Sequence, residues 1–352
     1  MTFRGALSRV CGRGAALSVL LALAGIVAAA SASAAPIRYQ LKMPTVVSYE
    51  LMLPTLVADG AGLLAEQGID LSELALGSGG TMRAAVIARE YDFGLFGFIH
   101  IPLARLAGSP WKALLATHDR EIFNLVVRSE HRGRVRTVRD LRGMRVGFST
   151  PGASAWYIGS VFLKAAGLDP ERDVQYVPLG GDPAVIYTAL RTGRVDAFVA
   201  WEPTTTRVIE EGIAYPLTRL WEEGEHRRWL GAPRAQSMFL ITREDVIVRN
   251  PGVVARLVAA HKKALELIRE RRAQEILDVV LRSPKGRQVF SGLERELSVK
   301  MIDRIKPGFG TGCLSKRGFD VEMKIAVDYG VVRRPISFEE FAEARFAGRC
   351  LD

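Results

Sequence analysis

The stretch MRVGFSTPGASAWYIGSVFLKAAGLD, residues 144–169, reads as a short apolar strand, a turn of hydroxyls, proline and glycine, and a helix closing on Gly167-Leu168-Asp169. The same order stands a hundred residues earlier. IRYQLKM from Ile37 is a strand, and ELMLPTLVADGAGLLAEQG from Glu50 is a helix with proline in an early turn, ending at Gly68-Ile69-Asp70. Both copies continue alike. A strand (IDLSELAL; DVQYVPL) leads to a glycine turn (GSGG; GGD), a helix (TMRAAVIARE; PAVIYTALRTG) and a buried strand near an aspartate (Asp92 in YDFGLFGF; Asp196 in VDAFVAW). Strands alternating with helices predict an α/β fold of parallel, doubly wound sheets covered by helices, one per copy. The polar turns then collect at the carboxyl ends of the strands, where ligands of such sheets bind.

Working outward, the first residues carry Arg4, Arg9 and Arg13, an apolar run from Ala15 to Ala30 and the small-residue stretch Ala32-Ser33-Ala34. This is the pattern of a cleavable secretory signal peptide over 1–34, since a spanning helix needs about 20 apolar residues. The remaining 318 residues exceed what one core usually organises. The expected division is lobe 1 over 35–125, lobe 2 over 126–240 and a helical return to lobe 1 over 241–352. IFNLVVRSE at 122–130 and SMFLITRED at 237–245 are the crossovers on which the lobes would hinge.

Composition excludes several functions. The formal charge of +10 falls to +7 once residues 1–34 are removed. Basic runs such as RERRAQ at 269–274 are solvated helix faces not interleaved with aromatics, so no nucleic-acid partner is expected. The five histidines have no metal-ligand spacing. Ser149 and Ser154 both miss the Gly-x-Ser-x-Gly frame of a hydrolase nucleophile, GSGGTMR fails the dinucleotide fingerprint, and no cofactor is called for. Cys313 and Cys350 are expected to pair in an oxidising compartment, with two unpaired core thiols as the alternative.

The candidate ligand contacts sit on the turns. In GFSTPGAS the first amides of the helix lack intrahelical partners, Ser149, Thr150 and Ser154 add hydroxyls, and Gly152 allows close approach; an oxyanion or polar carbonyl fits, and so does plain capping by Ser149 or Thr150. Gly79, Gly80 and Thr81 open a helix in the first copy. His100 follows a buried strand at the cleft edge, as a ligand donor or a capping residue. In DAFVAWEPTTT a buried strand delivers Trp201, to stack on a ligand and donate from its indole or to pack in the lobe, and Glu202, to accept from a ligand amine or fix the hinge.

Taken together, GSGGT, YDFGLFGF, GFSTPGASA and above all TGRVDAFVAWEP resemble the substrate-binding proteins of ABC importers for nitrate, sulfonates, taurine and thiamine-precursor pyrimidines. The resemblance spans essentially the whole chain after the leader. It implies a two-lobed periplasmic binding protein fold of type II, a monomer that closes on one small solute, and permease and ATPase subunits as partners. It also implies contacts at Ser48 and Tyr49, Gly79 to Thr81, Phe98 and His100, Ser149 to Ser154 with Ala153 among them, and Trp201 with Glu202. The Phe98-Ile99-His100 triplet is bulkier than relatives carry. An enzyme lies close to the family, a yeast-type pyrimidine synthase, but its cysteine-rich iron motif is absent from this chain. The ligand is expected to be a sulfonate or related organic anion, the alternatives being a neutral pyrimidine or a sensor role feeding a membrane kinase.

Overall fold

A computed structural model describes residues 38–351. The expected signal peptide lies outside the described residues. The described residues form eleven strands: β1 Tyr39–Thr45, β2 Ile69–Leu76, β3 Phe93–Gly97, β4 Trp111–His118, β5 Asn124–Arg128, β6 Arg145–Phe148, β7 Gln175–Pro178, β8 Ala197–Ala200, β9 Ala214–Pro216, β10 Met238–Arg243 and β11 Phe309–Gly312. The helices that bear on the site are α1 Tyr49–Gly60, α2 Gly79–Ile87, α3 His100–Leu106, α4 Ser154–Ala165, α5 Pro183–Arg191 and α6 Thr204–Glu210; α7 Pro251–Glu270 and α8 Lys316–Asp328 belong to the helical return.

The second sheet has the order β7-β6-β8-β5-β9, and the first the order β11-β4-β10-β3, with β1 and β2 paired in parallel alongside. Tyr39 of β1 meets Phe93 of β3 edge to face at 6.0 Å. Pro44, which has no N–H to give a ladder, lies close to Gly94 of β3. Each half thus runs second strand, first strand, third strand, crossover strand, fourth strand. Interiors explain the strand choice: all five residues of β3, all four of β8 and all six of β10 are buried.

Three expectations are corrected. The sheets are mixed, not parallel: β10 runs antiparallel to β3 and β4, and β5 antiparallel to β8 and β9. A strand that carries the chain between lobes arrives without a crossover helix, and so from the opposite end. The helix expected over 50–68 stops at Gly60, because Gly62 takes the left-handed φ of 77° that a helix cannot continue, and only a short turn, Leu63–Glu66, follows. The return is not purely helical either, since β11 joins β4 at the edge of the first sheet. β5 belongs wholly to the second sheet and β10 wholly to the first, so the sheets are joined through residues 119–123 and 231–237.

The repeated aspartates do structural work away from the cleft. Asp92, one residue before β3, pairs with Arg243 of β10 at 3.0 Å. Asp196, one residue before β8, accepts from the Arg145 backbone at 2.9 Å and from its guanidinium at 2.6 and 3.1 Å. Cys313 and Cys350 form a disulfide across 37 residues, beside a backbone exchange in which Leu314 donates to Gly348 and Cys350 to Leu314. No helix among the described residues is long and apolar enough to cross a membrane.

Candidate functional site

Between the two sheets lies a cavity lined on the first-sheet side by Val46, Leu51, Ser78, Gly79, Phe96 and His100, with Leu95 and Gly97 from the same strand. The opposite wall is Ser149, Ala153, Ser154, Ala155, Gly181 and Trp201, the connecting segment 119–123 adds Ile122 and Phe123, and β10 adds Met238. No Asp, Glu, Lys or Arg is among these residues. The space is narrow, about 30 Å³, so an organic solute requires the walls to stand further apart than here. Contacts across the cleft account for this. A Cβ on Gly97 of β3 would meet Ser154 Oγ of the opposite wall at 2.2 Å, and one on Gly181 would lie 3.6 Å from Ser78 Cα.

The turn after β6 is where donors are left over. Neither Ser149 nor Thr150 caps α4: its N-cap is Ala153, which has no side-chain acceptor. The hydroxyls of Ser149, Thr150 and Ser154 are buried and have no hydrogen-bond partner, with Ser149 and Ser154 only 5% and 8% exposed. Gly152 supplies the left-handed bend, at φ 76°. The twelve-residue helix behind it directs partial positive charge at the same point. Since buried polar groups are ordinarily paired, three idle hydroxyls at an uncapped helix start form a cradle that a ligand acceptor would complete. Neither serine meets a histidine, so the turn assembles no nucleophile and base.

Across the cavity His100 opens α3 with 2% of its surface exposed. Arg83 of α2 donates to its Nδ1 at 3.0 Å. A guanidinium has no acceptor, so Nδ1 carries the lone pair and the proton of a neutral ring sits on Nε2. Burial, and then the Arg83 charge, push the imidazole pKa down to about 3 and keep it neutral. The ring lies so close to Gly79 that a Cβ there would meet Cε1 and Nε2 at 2.9 Å, which is the reason for glycine at that position.

The other sequence-predicted residues are placed less centrally. Trp201 lines the cavity with its ring, but its indole N–H donates to Val47 O at 2.8 Å and is not free for a ligand. Glu202 turns away. Its carboxylate accepts from Thr206 N at 2.9 Å and Thr206 Oγ1 at 2.7 Å, capping α6, and burial raises its pKa to about 7. Its backbone N–H donates to Glu50 Oε1 at 2.9 Å and its carbonyl accepts from Tyr49 N at 3.2 Å, so the Trp201-Glu202 pair locks onto the start of α1. Ser48 caps α1 through Leu51 N and donates to Glu50. Tyr49 donates to Val289 O at 2.5 Å and packs on Phe290. Phe98 sits among Phe319 and Phe341 in the core. Thr81 closes the Ser78 cap, and Gly80 approaches Thr150 Oγ1 without lining the cavity. Of the predicted set the cavity brings together Gly79, His100, Ser149, Ala153, Ser154 and Trp201. Sequence reading missed Phe96, Phe123, Met238 and the polar Arg83; the first three lie in stretches already read as buried strand or crossover, whereas nothing local marks Arg83.

The model of the family described as "NMT1/THI5 like" matches residues 51–274, from early α1 through α7, and so covers both walls of the cavity. The chain belongs to the NMT1/THI5-like family. Solved structures share the architecture at low identity. The alkanesulfonate-binding protein SsuA of Xanthomonas axonopodis pv. citri, bound to MOPS, is 19% identical with a TM-score of 0.66, over 87% of this chain and 98% of that one. The periplasmic nitrate-binding protein NrtA of Synechocystis PCC 6803 is 13% identical with a TM-score of 0.67, over 87% and 85%. These fix the fold as the two-lobed periplasmic binding protein type. A curated relative, the nitrate import ATP-binding protein NrtC of Synechococcus elongatus, is 30% identical over 145 residues, 40% of this chain; that match spans about a fifth of the relative's length.

Proposed function

We propose that this NMT1/THI5-like chain is the periplasmic solute-binding component of an ABC importer, capturing a small organic anion by lobe closure and delivering it to a permease. The observation that carries the ligand class is the pair of idle hydroxyls on Ser149 and Ser154 at the uncapped start of α4, with that of Thr150 on the same turn, across from a neutral His100 with an Nε2 proton, in a cavity with no carboxylate in its walls. Every polar side chain there can donate, and nothing in the walls repels a negative charge. The apolar remainder, Phe96, Phe123 and Met238 among it, suits a short alkyl tail, so ethanesulfonate and taurine are the model ligands. The relative with an ATP-binding name supports transport over sensing. In this reading the leader 1–34 is removed by cleavage after Ala34, and the lobes are 35–125 with 241–352 against 126–240, turning about the segments next to β5 and β10.

A neutral pyrimidine is the second reading, favoured by the aromatic walls Phe96, Phe123 and Trp201. Against it, an aminopyrimidine wants an acceptor, and Glu202 spends its carboxylate on Thr206. Calorimetric titration of purified, ligand-free protein decides. Heat and thermal stabilisation with ethanesulfonate, absent with an aminopyrimidine, support the anion; the reverse pattern, or a response to neither, overturns it.

A further inference from the structure

Arg83 is the outlier of the first lobe. It is half-buried, its pKa is lowered by that burial, and it forms no ion pair among the described residues, whereas nearby Arg105 and Arg243 are paired with carboxylates. Its Nη1 makes two bonds at 3.0 Å, one to His100 Nδ1 in its own lobe and one to Gly152 O in the opposite wall. Gly152 belongs to the turn that bears the idle hydroxyls, and its left-handed φ of 76° is a conformation that favours glycine.

We propose that Arg83 is a positioning and specificity-determining residue: by occupying His100 Nδ1 and the Gly152 carbonyl at once, it fixes His100 as an Nε2–H donor toward the cavity and ties that donor to closure of the cleft. Two consequences follow from the geometry. The site cannot present a lone pair from His100, so ligands that need an acceptor there, such as an amine or a protonated acid, are rejected by an unpaired donor facing a donor. The uncompensated guanidinium also lies one ring away from the ligand, where it polarises the imidazole N–H toward a negative acceptor without entering the cavity. This rests on the anion reading for its ligand, but the tautomer and the tie to Gly152 do not.

The test therefore has two arms on the full mature chain. In the first, protein labelled with ¹⁵N-histidine is examined without ligand, with His100→Gln used to assign the resonance. The expected signature is a neutral ring protonated at Nε2 from pH 7.5 to 5; Arg83→Met should convert it to mixed tautomers or bring its titration into that range, and Arg83→Lys should restore the Nε2–H form. A wild-type His100 protonated at Nδ1, or an unchanged signature in Arg83→Met, overturns the proposal even if a variant proves poorly folded, because the wild-type spectrum alone carries the first outcome. In the second arm, ethanesulfonate affinity should fall by about tenfold or more in Arg83→Met, the size of one lost hydrogen bond to a charged group. If wild type ignores ethanesulfonate while the tautomer result holds, the ligand class is wrong and Arg83's role stands. If wild type binds and Arg83→Met binds equally well, the specificity role fails.

Discussion

The two lobes repeat one plan, and their helix-opening turns differ in a single respect that locates the site. In the first lobe Ser48 caps α1 through Leu51 N, and Ser78 caps α2 through Thr81 N at 3.2 Å. In the second lobe Asp182 caps α5 through Ala184 N at 2.8 Å, and Glu202 holds Thr206 N near the start of α6. Of the six helices around the site, α4, opening at Ser154, and α3, opening at His100, lack a side-chain bond of this kind, and both face the cavity from opposite sides. Equivalent turns therefore differ in whether a side chain holds the first amides of the helix, although Thr204 and Thr205 of α6 also keep hydroxyls without a partner, outside the cavity lining. A cap stabilises the lobe it belongs to; an idle donor is useful only to something that arrives.

The comparison breaks most forcefully at Gly97. Its missing Cβ is what lets β3 approach Ser154, so Gly97→Val should abolish ethanesulfonate binding while leaving the melting temperature of the ligand-free protein within a few degrees. Small-angle scattering that still contracts on ligand addition would show that the Gly97–Ser154 approach is not needed for closure. Next in size, removing the disulfide with Cys313→Ser and Cys350→Ser should destabilise the first lobe by on the order of 4 kcal/mol on the loop-entropy estimate for this span, read as a lower denaturant midpoint. Undiminished stability would mean that the backbone exchange around Leu314 pins the tail unaided.

The turn itself gives the sharpest contrast. Ser149→Ala with Ser154→Ala removes hydroxyls that bond nothing in the fold, so affinity for ethanesulfonate should fall roughly 100-fold with little change in stability, two hydrogen bonds to a charged ligand being lost. Ser78→Ala in the other lobe should do the opposite, costing about 1 kcal/mol of stability as a lost cap and little affinity. Equal behaviour of the two variants would erase the distinction between caps and idle donors.

Acid should also act unevenly. His261, buried between Thr55 and Leu257 O, is pushed down to about 4 by burial, as His118 is to about 3. A histidine held neutral in the fold takes its proton only on unfolding, so the stability it contributes is full above about 6.5 and is lost as pH falls toward 4. Glu202, raised to about 7 by burial, acts with the opposite sign: its contribution is full below the usual carboxylate range and fades as pH rises through 7. His261→Gln should flatten the fall in melting temperature between pH 6.5 and 4 relative to wild type; an identical slope in calorimetry would contradict the assignment.

Much of this is legible in the sequence. The strand, turn and helix order of both halves follows from periodicity, because burying a sheet between helices demands apolar strands and punctuated turns, and β2 over 69–76 matches its sequence reading residue for residue. The GFSTPGAS turn stands out for the same reason, as hydroxyls and glycine at a helix start have few uses. What could not be read was which hydroxyls cap and which stay idle, since Ser78 and Ser149 look alike in sequence and differ only in where the next amide points.

By itself, then, the sequence determined two α/β repeats, the position of their turns and the residue types that crowd them, all consequences of local propensity and of the period at which apolar side chains recur. The tertiary structure alone decided that β5 and β10 run against their neighbours, that Glu202 serves α6 and the Trp201 indole serves Val47, and that Arg83 reaches both His100 and Gly152. Those are contacts between residues far apart in the chain, fixed by how the lobes meet, and no local pattern encodes the partner of a side chain on the other side of a cleft.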